Sequence, residues 1–289
     1  MVDKKKEALA AALMLAPNLT GLLIFMVIPT AASFVISTTN WNLIGSPGWA
    51  GLENFKEAFG DELFWMTLKN TAVYVFCKVP INVFLSLLLA VLLNQSLYGR
   101  TLFRAILFLP MIASSVSVAL LWQPLFLSNG LLNKLLAALK FPTLMWIYNP
   151  QTSMMSVILV ALWKELGYYM VIFLAGLQSI SGTYYEAANI DGANGIQQFA
   201  RITVPLISPT TFFVLIISII GSFQIFDLTT VLTGGGPANS TNTLIMYVYQ
   251  AGFKFFRMGY ASALSAILFI IVLVITIIQN WSSKRWVHY

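Results

Sequence analysis

The chain has 289 residues, 58% of them hydrophobic and 9% charged, with a formal net charge of +6. Soluble domains carry about 25% charged residues, so the composition excludes a soluble globular protein and makes the bilayer the solvent. The basic residues sit near the chain ends and in short stretches between apolar runs, where they set membrane orientation and give no nucleic-acid signal.

A single cysteine, Cys77, lies inside an apolar run, which excludes a disulfide framework or a metal site. The single histidine, His288, reads as a solvated tail residue. The apolar runs are long and continuous rather than alternating. A span must satisfy its backbone hydrogen bonds internally, so the expected fold class is an all-α membrane protein.

Met1 to Glu7, with Lys4, Lys5 and Lys6, reads as a short disordered arm. The first apolar run, about residues 9–38, continues to spanning length, so it is a span and not a cleavable signal peptide. Pro17 and Pro29 make it either a kinked helix or a short interfacial helix followed by the span proper. In the loop that follows, Phe55 and Phe59 at i, i+4 mark a short interfacial helix, and Trp41 and Trp49 fit an aromatic belt. The second span covers about 65–93. A short loop with Arg100 and Arg104 leads to the third, about 102–127, which contains Pro110 and Pro124. A small amphipathic piece at 131–139 precedes the fourth span, about 153–180. The fifth covers about 206–232 and the sixth about 260–281, separated by Thr233-Gly-Gly-Gly-Pro237 and an aromatic passage, Tyr247, Tyr249, Phe253, Phe255 and Phe256. The whole, 1–289, reads as one transmembrane domain without an internal repeat. Each run is near or above the ~20 residues that cross a bilayer. With the first end inside, Lys4, Lys5, Lys6, Arg100, Arg104, Arg201, Lys284 and Arg285 face the cytoplasm, against Lys56, Lys134, Lys140, Lys254 and Arg257 outside. The bias predicts six transmembrane helices with both ends in the cytoplasm.

The longest polar passage between spans is 183–205. Thr183 and Glu186, three apart, predict a capping box at a helix start. Asp191-Gly192 and Asn194-Gly195 interrupt that helix, because Gly tolerates positive φ and Asn or Asp favours turns. A second short helical pattern follows in Ile196, Phe199, Ala200 and Ile202, and Pro205 and Pro209 open the next span. Composition alone is equally consistent with a plain connecting loop. The spacing goes further. Glu186-Ala187-Ala188, then Gly192, Ile202 and Pro205 resemble the signature cytoplasmic loop of permease subunits in binding-protein-dependent ABC importers, of the type I importer permease core. The resemblance implies that Glu186, Ala187, Ala188, Asp191, Gly192 and Ala193 couple the chain to an ATPase subunit. Small alanines suit a helix lying in a groove.

No Gly-x-x-x-x-Gly-Lys-Ser/Thr phosphate loop is present, and Gly234-Gly235-Gly236-Pro237 is a turn without the following Lys. The chain is therefore read as a transport subunit and not an enzyme. It binds no cofactor itself, and ATP and Mg belong to separate ATPase subunits. A second resemblance runs from Phe226-Asp227 through Thr233-Gly-Gly-Gly-Pro237 to Gly259-Tyr-Ala-Ser-Ala263. It is similar to the sugar-importing branch, of the maltose and glycerol-3-phosphate type, first of the two permeases that such systems pair. The maltose-type member has additional N-terminal spans and a large external domain that this sequence lacks. The resemblance implies a second homologous permease, two ATPase subunits, an extracytoplasmic sugar-binding protein, and a place among the lipids of a bacterial cytoplasmic membrane.

Intramembrane ionisable residues are costly and each needs an account. Lys164 and Glu165 sit in the fourth span; adjacent helical positions point about 100° apart and do not face one another. Either one pairs with another helix, or Lys164 snorkels, or Glu165 and Tyr168 line a translocation path. The resemblance implies the path for Ala161, Lys164, Glu165 and Tyr168, and for Ser218, Ser222 and Gln224 in the fifth span. Serines in spans also serve as helix–helix glue, and Asp227, near the end of its span, either contacts substrate or pairs with Lys254 or Arg257. Lys78 and Asn82 form another i, i+4 polar pair, without an assigned role. The function expected is import of a sugar, an oligosaccharide by preference, powered by separate ATPase subunits acting through 183–205. The alternatives are a permease for glycerol-3-phosphate or another anionic polyol and, in a different class, an ion-gradient-driven secondary transporter.

Overall fold

A computed structural model describes residues 4–95 and 98–287; His288 lies outside them. Every regular element among the described residues is helical. In chain order they are α1 (Lys4–Leu22), α2 (Ile28–Ile36), α3 (Glu53–Gly60), α4 (Glu62–Asn94), α5 (Arg100–Ile112), α6 (Ser115–Trp122), α7 (Leu131–Ala138), α8 (Pro150–Gln178), α9 (Gly182–Ile190), α10 (Gly195–Gln198), α11 (Val204–Leu206), α12 (Ser208–Phe223), α13 (Asp227–Leu232), α14 (Leu244–Tyr249) and α15 (Met258–Ser283). Among the described residues, four stretches are long and apolar enough to cross a membrane: Ala11–Ile36, Glu62–Asn94, Pro150–Gln178 and Met258–Ser283. Two bent pairs raise the number to six if each is one span.

Several expectations need correction. The arm expected to be disordered is helical from Lys4 onward, since its run of Lys, Glu, Ala and Leu is among the strongest helix formers. The run 102–127 is not one helix. α5 ends at Ile112, the chain extends through Ala113, and α6 starts afresh at an axis about 100° away. Pro110 removes an i→i−4 hydrogen bond just before the break, and Ser114 caps the new helix by accepting from the Ser117 N–H at 3.1 Å. The run 206–232 also divides. α12 stops at Phe223, the segment Gln224-Ile225-Phe226 is non-helical, and Asp227 opens α13, where a carboxylate favours the positive helix end. Ser114 and Ser115, and Gln224 and Asp227, mark these breaks in runs that are otherwise apolar.

The chain divides into two compact units. The first comprises residues up to Asp61 with Val248–Phe269. Here the buried Asn54 amide on α3 donates to the carbonyls of Ser37 and Thr39, both at 2.8 Å, closing the exit from α2. Gly259 donates to the Trp41 carbonyl at 3.0 Å, and a Cβ there would collide with the Thr39 carbonyl, so only glycine permits the approach. Arg257 pairs with Glu57 and lies over the Tyr260 ring.

The second unit, Glu62–Tyr247 with Ile270 onward, holds the apolar core that positions the site. Ala90 and Leu93 of α4, Tyr169 to Leu177 of α8, and Ile207 and Val214 at α12 pack together. α8 starts at a cap, Asn149 accepting from the Gln151 N–H at 2.9 Å, with Pro150 at the first position. Small residues set its crossings. A Cβ at Gly167 would run into the Leu107 carbonyl of α5, and one at Gly176 into Thr210 of α12. Arg104 donates to the Leu93 carbonyl at 2.6 Å, satisfying an orphan acceptor at the end of α4.

Candidate functional site

Between α4, α8 and the break after α12 lies a polar cavity of about 180 Å³. Lys164, Glu165, Gln224 and Asp227 all line it, joined by Tyr74, Ser115 and Gly221. The break after α12 places two helix ends at one wall: Gln224 follows the last turn of α12 and Asp227 opens α13, and both line the cavity. Lys164 reaches the Ser115 hydroxyl at the start of α6 at 3.2 Å. Glu165, pointing elsewhere on the same turn, is paired with Lys78 of α4. Lys78 is almost wholly buried and also donates to Ser222 of α12 at 3.1 Å, with the Tyr169 ring 5.6 Å from its nitrogen. The pair therefore joins three helices.

The remaining expected path residues lie elsewhere. Ser218 and Ser222 are buried within the helix packing, and the Ser222 hydroxyl donates to the Ser218 carbonyl at 2.6 Å. Ala161 is buried in α8. Tyr168 packs against the α4–α8–α12 core and stacks edge-on with Tyr169. Neither Ala161 nor Tyr168 lines the cavity. Asp227 faces the cavity, while Arg257 engages Glu57. Tyr74, Ser115 and the pairing of Lys78 escaped sequence reasoning. An intramembrane lysine and an intramembrane glutamate in one chain were the signal for that pair. Lys78 continues a polar stripe on α4, through Asn82 and Ser86, whose hydroxyl donates to the Leu166 carbonyl at 3.1 Å.

The passage 183–205 folds as an elbow. Its capping differs from expectation: Ser181, not Thr183, caps α9, accepting from the Thr183 N–H at 3.4 Å. The Ser181 and Thr183 hydroxyls also meet at 2.8 Å, and α9 starts at Gly182, two residues before a Thr183 cap would place it. A reciprocal capping box forms one bend later, between Asn194 and Gln197. Gly192 sits at φ +75° between α9 and α10, a conformation that favours glycine. Gln198 braces the bend, donating to the Asn189 side chain at 2.6 Å and to the Ala193 carbonyl at 3.0 Å. The Tyr185 and Thr203 hydroxyls meet at 2.9 Å across it. Glu186, Ala187, Asp191 and Gly192 are exposed, and Ala188 and Ala193 are half-buried. Ile190 and Ile196 stand 87% and 82% exposed, so the elbow shows an apolar surface that this chain leaves uncovered.

No group of three or more His, Cys, Asp or Glu arranged to hold a metal occurs among the described residues. Against that geometry, residues 82–288 match the family described as "Binding-protein-dependent transport system inner membrane component". The chain belongs to this family. It is a multi-pass inner-membrane permease, a transport subunit and not itself an enzyme. It is 39% identical over 290 residues to the "Probable ABC transporter permease protein YesP" of Bacillus subtilis (strain 168), covering 99% of this chain and 94% of the relative. It is 36% identical over 268 residues to the "Arabinooligosaccharides transport system permease protein AraP" of the same organism, covering 91% and 85%. Among solved structures, it matches a chain of the "bacterial alginate ABC transporter in complex with alginate pentasaccharide-bound periplasmic protein" with a TM-score of 0.83 and 27% identity, over 98% of this permease and 96% of that chain. The family works in complexes with a binding protein, which leaves the ion-gradient alternative without support.

Proposed function

We propose that this permease imports a sugar, an oligosaccharide by preference, through the cavity lined by Lys164, Glu165, Gln224 and Asp227. The observation that carries the reading is the convergence of these four polar side chains on one cavity, in a chain whose relatives bear the names of arabinooligosaccharide, lactose and trehalose/maltose permeases. Carboxylates and an amide accept hydrogen bonds from sugar hydroxyls, and an ammonium donates to them. The residues Ala161, Tyr168, Ser218 and Ser222 support the path from behind by packing.

In this reading the chain forms one transmembrane domain with both ends in the cytoplasm. It pairs with a second homologous permease, receives its load from an extracytoplasmic sugar-binding protein, and rests its 183–205 elbow on one of two ATPase subunits. ATP and Mg are bound there, not by this chain. Glu186, Ala187, Ala188, Asp191, Gly192 and Ala193 form the contact, and Ile190 and Ile196 supply exposed apolar area for it. ATP can bias alternating access only if the elbow's contacts differ between the two states. A second reading, import of an anionic polyol, draws on 33% identity to the "sn-glycerol-3-phosphate transport system permease protein UgpA" of Agrobacterium fabrum and on Lys164 in the cavity wall.

The test is reconstitution in vesicles with a second permease, a binding protein and ATPase subunits that assemble with this chain. Uptake of labelled neutral oligosaccharides that needs both ATP and the binding protein is expected. Uptake of glycerol phosphate alone would select the second reading, and uptake without the ATPase would overturn both.

A further inference from the structure

We propose that Lys78 is a positioning residue of the transport path, which neutralises Glu165 and pins the last turn of α12 so that the cavity presents a charge-balanced wall. The proposal rests on the reading of that cavity as the path and deepens it. An ammonium has three protons to place. At Lys78 one goes to Glu165, one to the Ser222 hydroxyl at 3.1 Å, and the third side faces the Tyr169 ring at 5.6 Å. Lys78 is 1% exposed and does not line the cavity, whereas Glu165 is 27% exposed and does. Lys78 therefore acts on whatever enters through Glu165, and never touches it.

Two consequences follow from the geometry. With Lys78 in place, the charged groups on the wall beyond the pair are Lys164 and Asp227, one of each sign. Such a wall selects for hydroxyls rather than for net charge, which suits a neutral saccharide. Without Lys78, Glu165 and Asp227 give a net negative wall, and an anionic ligand is disfavoured more than a neutral one. Ser222 stands two residues before Gln224, so the same ammonium holds the end of α12 from which the cavity segment departs.

Electrostatics at the wall can be read without knowing the substrate. Cys77 is the sole cysteine, so Cys77→Ala gives a silent background. Gly221 lines the cavity, and a Cβ there meets no atom within 4 Å, so Gly221→Cys provides a reporter thiol. In the assembled transporter, cationic and anionic methanethiosulfonates of similar size are compared. Lys78→Met is expected to raise the cation-to-anion rate ratio at least about tenfold, which one unit charge about 6 Å away produces even at the dielectric of water, because cation and anion shift in opposite senses. Adding Glu165→Gln is expected to restore the ratio, and Lys78→Arg to preserve it. Because the ratio is taken on one preparation, a loss of folded protein cancels. An unchanged ratio in Lys78→Met, or no restoration by Glu165→Gln, overturns the proposal; if Lys78→Met does not assemble, Glu165→Gln alone, expected to lower the ratio, decides it. The transport arm separates the two claims. In vesicles carrying the Cys77→Ala background without the reporter thiol, Lys78→Met should depress uptake of a uronate-bearing disaccharide more than of its neutral counterpart. A shifted thiol ratio with unshifted relative uptake would uphold the electrostatic role and sink the cavity as the path.

Discussion

The cavity and the elbow solve opposite problems. At the cavity, the buried Lys78 is held by Glu165, Ser222 and the Tyr169 ring, and the half-buried Lys164 by Ser115, while Asp227 stays exposed. At the elbow, polar side chains brace the backbone, and the apolar ones, Ile190 and Ile196, are turned outward. The difference teaches where each region finds its stability. Removing one partner of a buried pair leaves an uncompensated charge, which costs about 3–5 kcal/mol. Removing an exposed elbow side chain costs this chain little. The buried Lys78 finds its partners within the chain, whereas Ile190 and Ile196 find no cover in it.

The largest expected effect falls on the elbow. Glu186→Lys is expected to lower uptake in the reconstituted transporter by at least about tenfold, equivalent to about 1.4 kcal/mol of lost coupling, while membrane insertion and the melting temperature of the isolated permease stay unchanged. Gly192→Val should act in the same direction. Its Cβ meets open space, so the penalty comes only from forcing a β-branched residue to φ +75°. Normal uptake by both variants would break the comparison by making the elbow a mere connection. Next comes the packing that both regions depend on. Gly167→Ala drives a methyl into the Leu107 carbonyl, and overpacking of this kind costs about 1–3 kcal/mol, visible as a lower melting temperature in detergent. A smaller, selective effect is expected at the cavity. Asp227→Asn should raise the KM for uptake by up to about tenfold, since Asn keeps a hydrogen bond and loses only the excess of a charged one, about 1–1.5 kcal/mol, without altering ATPase stimulation by the loaded binding protein. An unchanged KM would remove Asp227 from the substrate path.

Much of the fold was readable because length and continuity of apolar runs are strong signals in lipid. Glu62–Asn94, Pro150–Gln178 and Met258–Ser283 fall on runs the sequence marks clearly. The bends at Ala113 and Gln224 were not read, although Pro110 with Ser114 and Ser115, and Gln224 with Asp227, mark them: in runs of spanning length the apolar continuity outweighed these local signals. That is why Ser115 was missed, and why Gln224 and Asp227, expected on the path with Lys164 and Glu165, were placed within one continuous span; Tyr74, in the uninterrupted α4, carried no signal of its own. The partner of Glu165 was not readable either, since nothing in one dimension says that Lys78 and Glu165, 87 residues apart, meet. The elbow was readable in outline through its glycines. Its bracing was not, because Gln198 and Tyr185 carry no positional signature of their own.

That bracing gives the finest test of the contrast. Gln198 makes two hydrogen bonds across the bend, to Asn189 and Ala193, and its side chain is half-buried. Each neutral bond contributes about 0.5–1.5 kcal/mol, so Gln198→Ala should loosen α9 against α10 without unfolding either. Faster amide exchange across Asn189–Gln198 than in the parent, with exchange in α4 and α8 unchanged, is the expected signature in the isolated permease. In the assembled transporter a looser lever transmits less of each closure. Uptake per ATP hydrolysed should then fall two- to threefold, about 0.4–0.7 kcal/mol, while ATP turnover holds. Equal losses in uptake and turnover would instead mean that Gln198 serves docking and not stiffness, and the elbow would then have to be regarded as a passive contact patch whose shape is set by the ATPase.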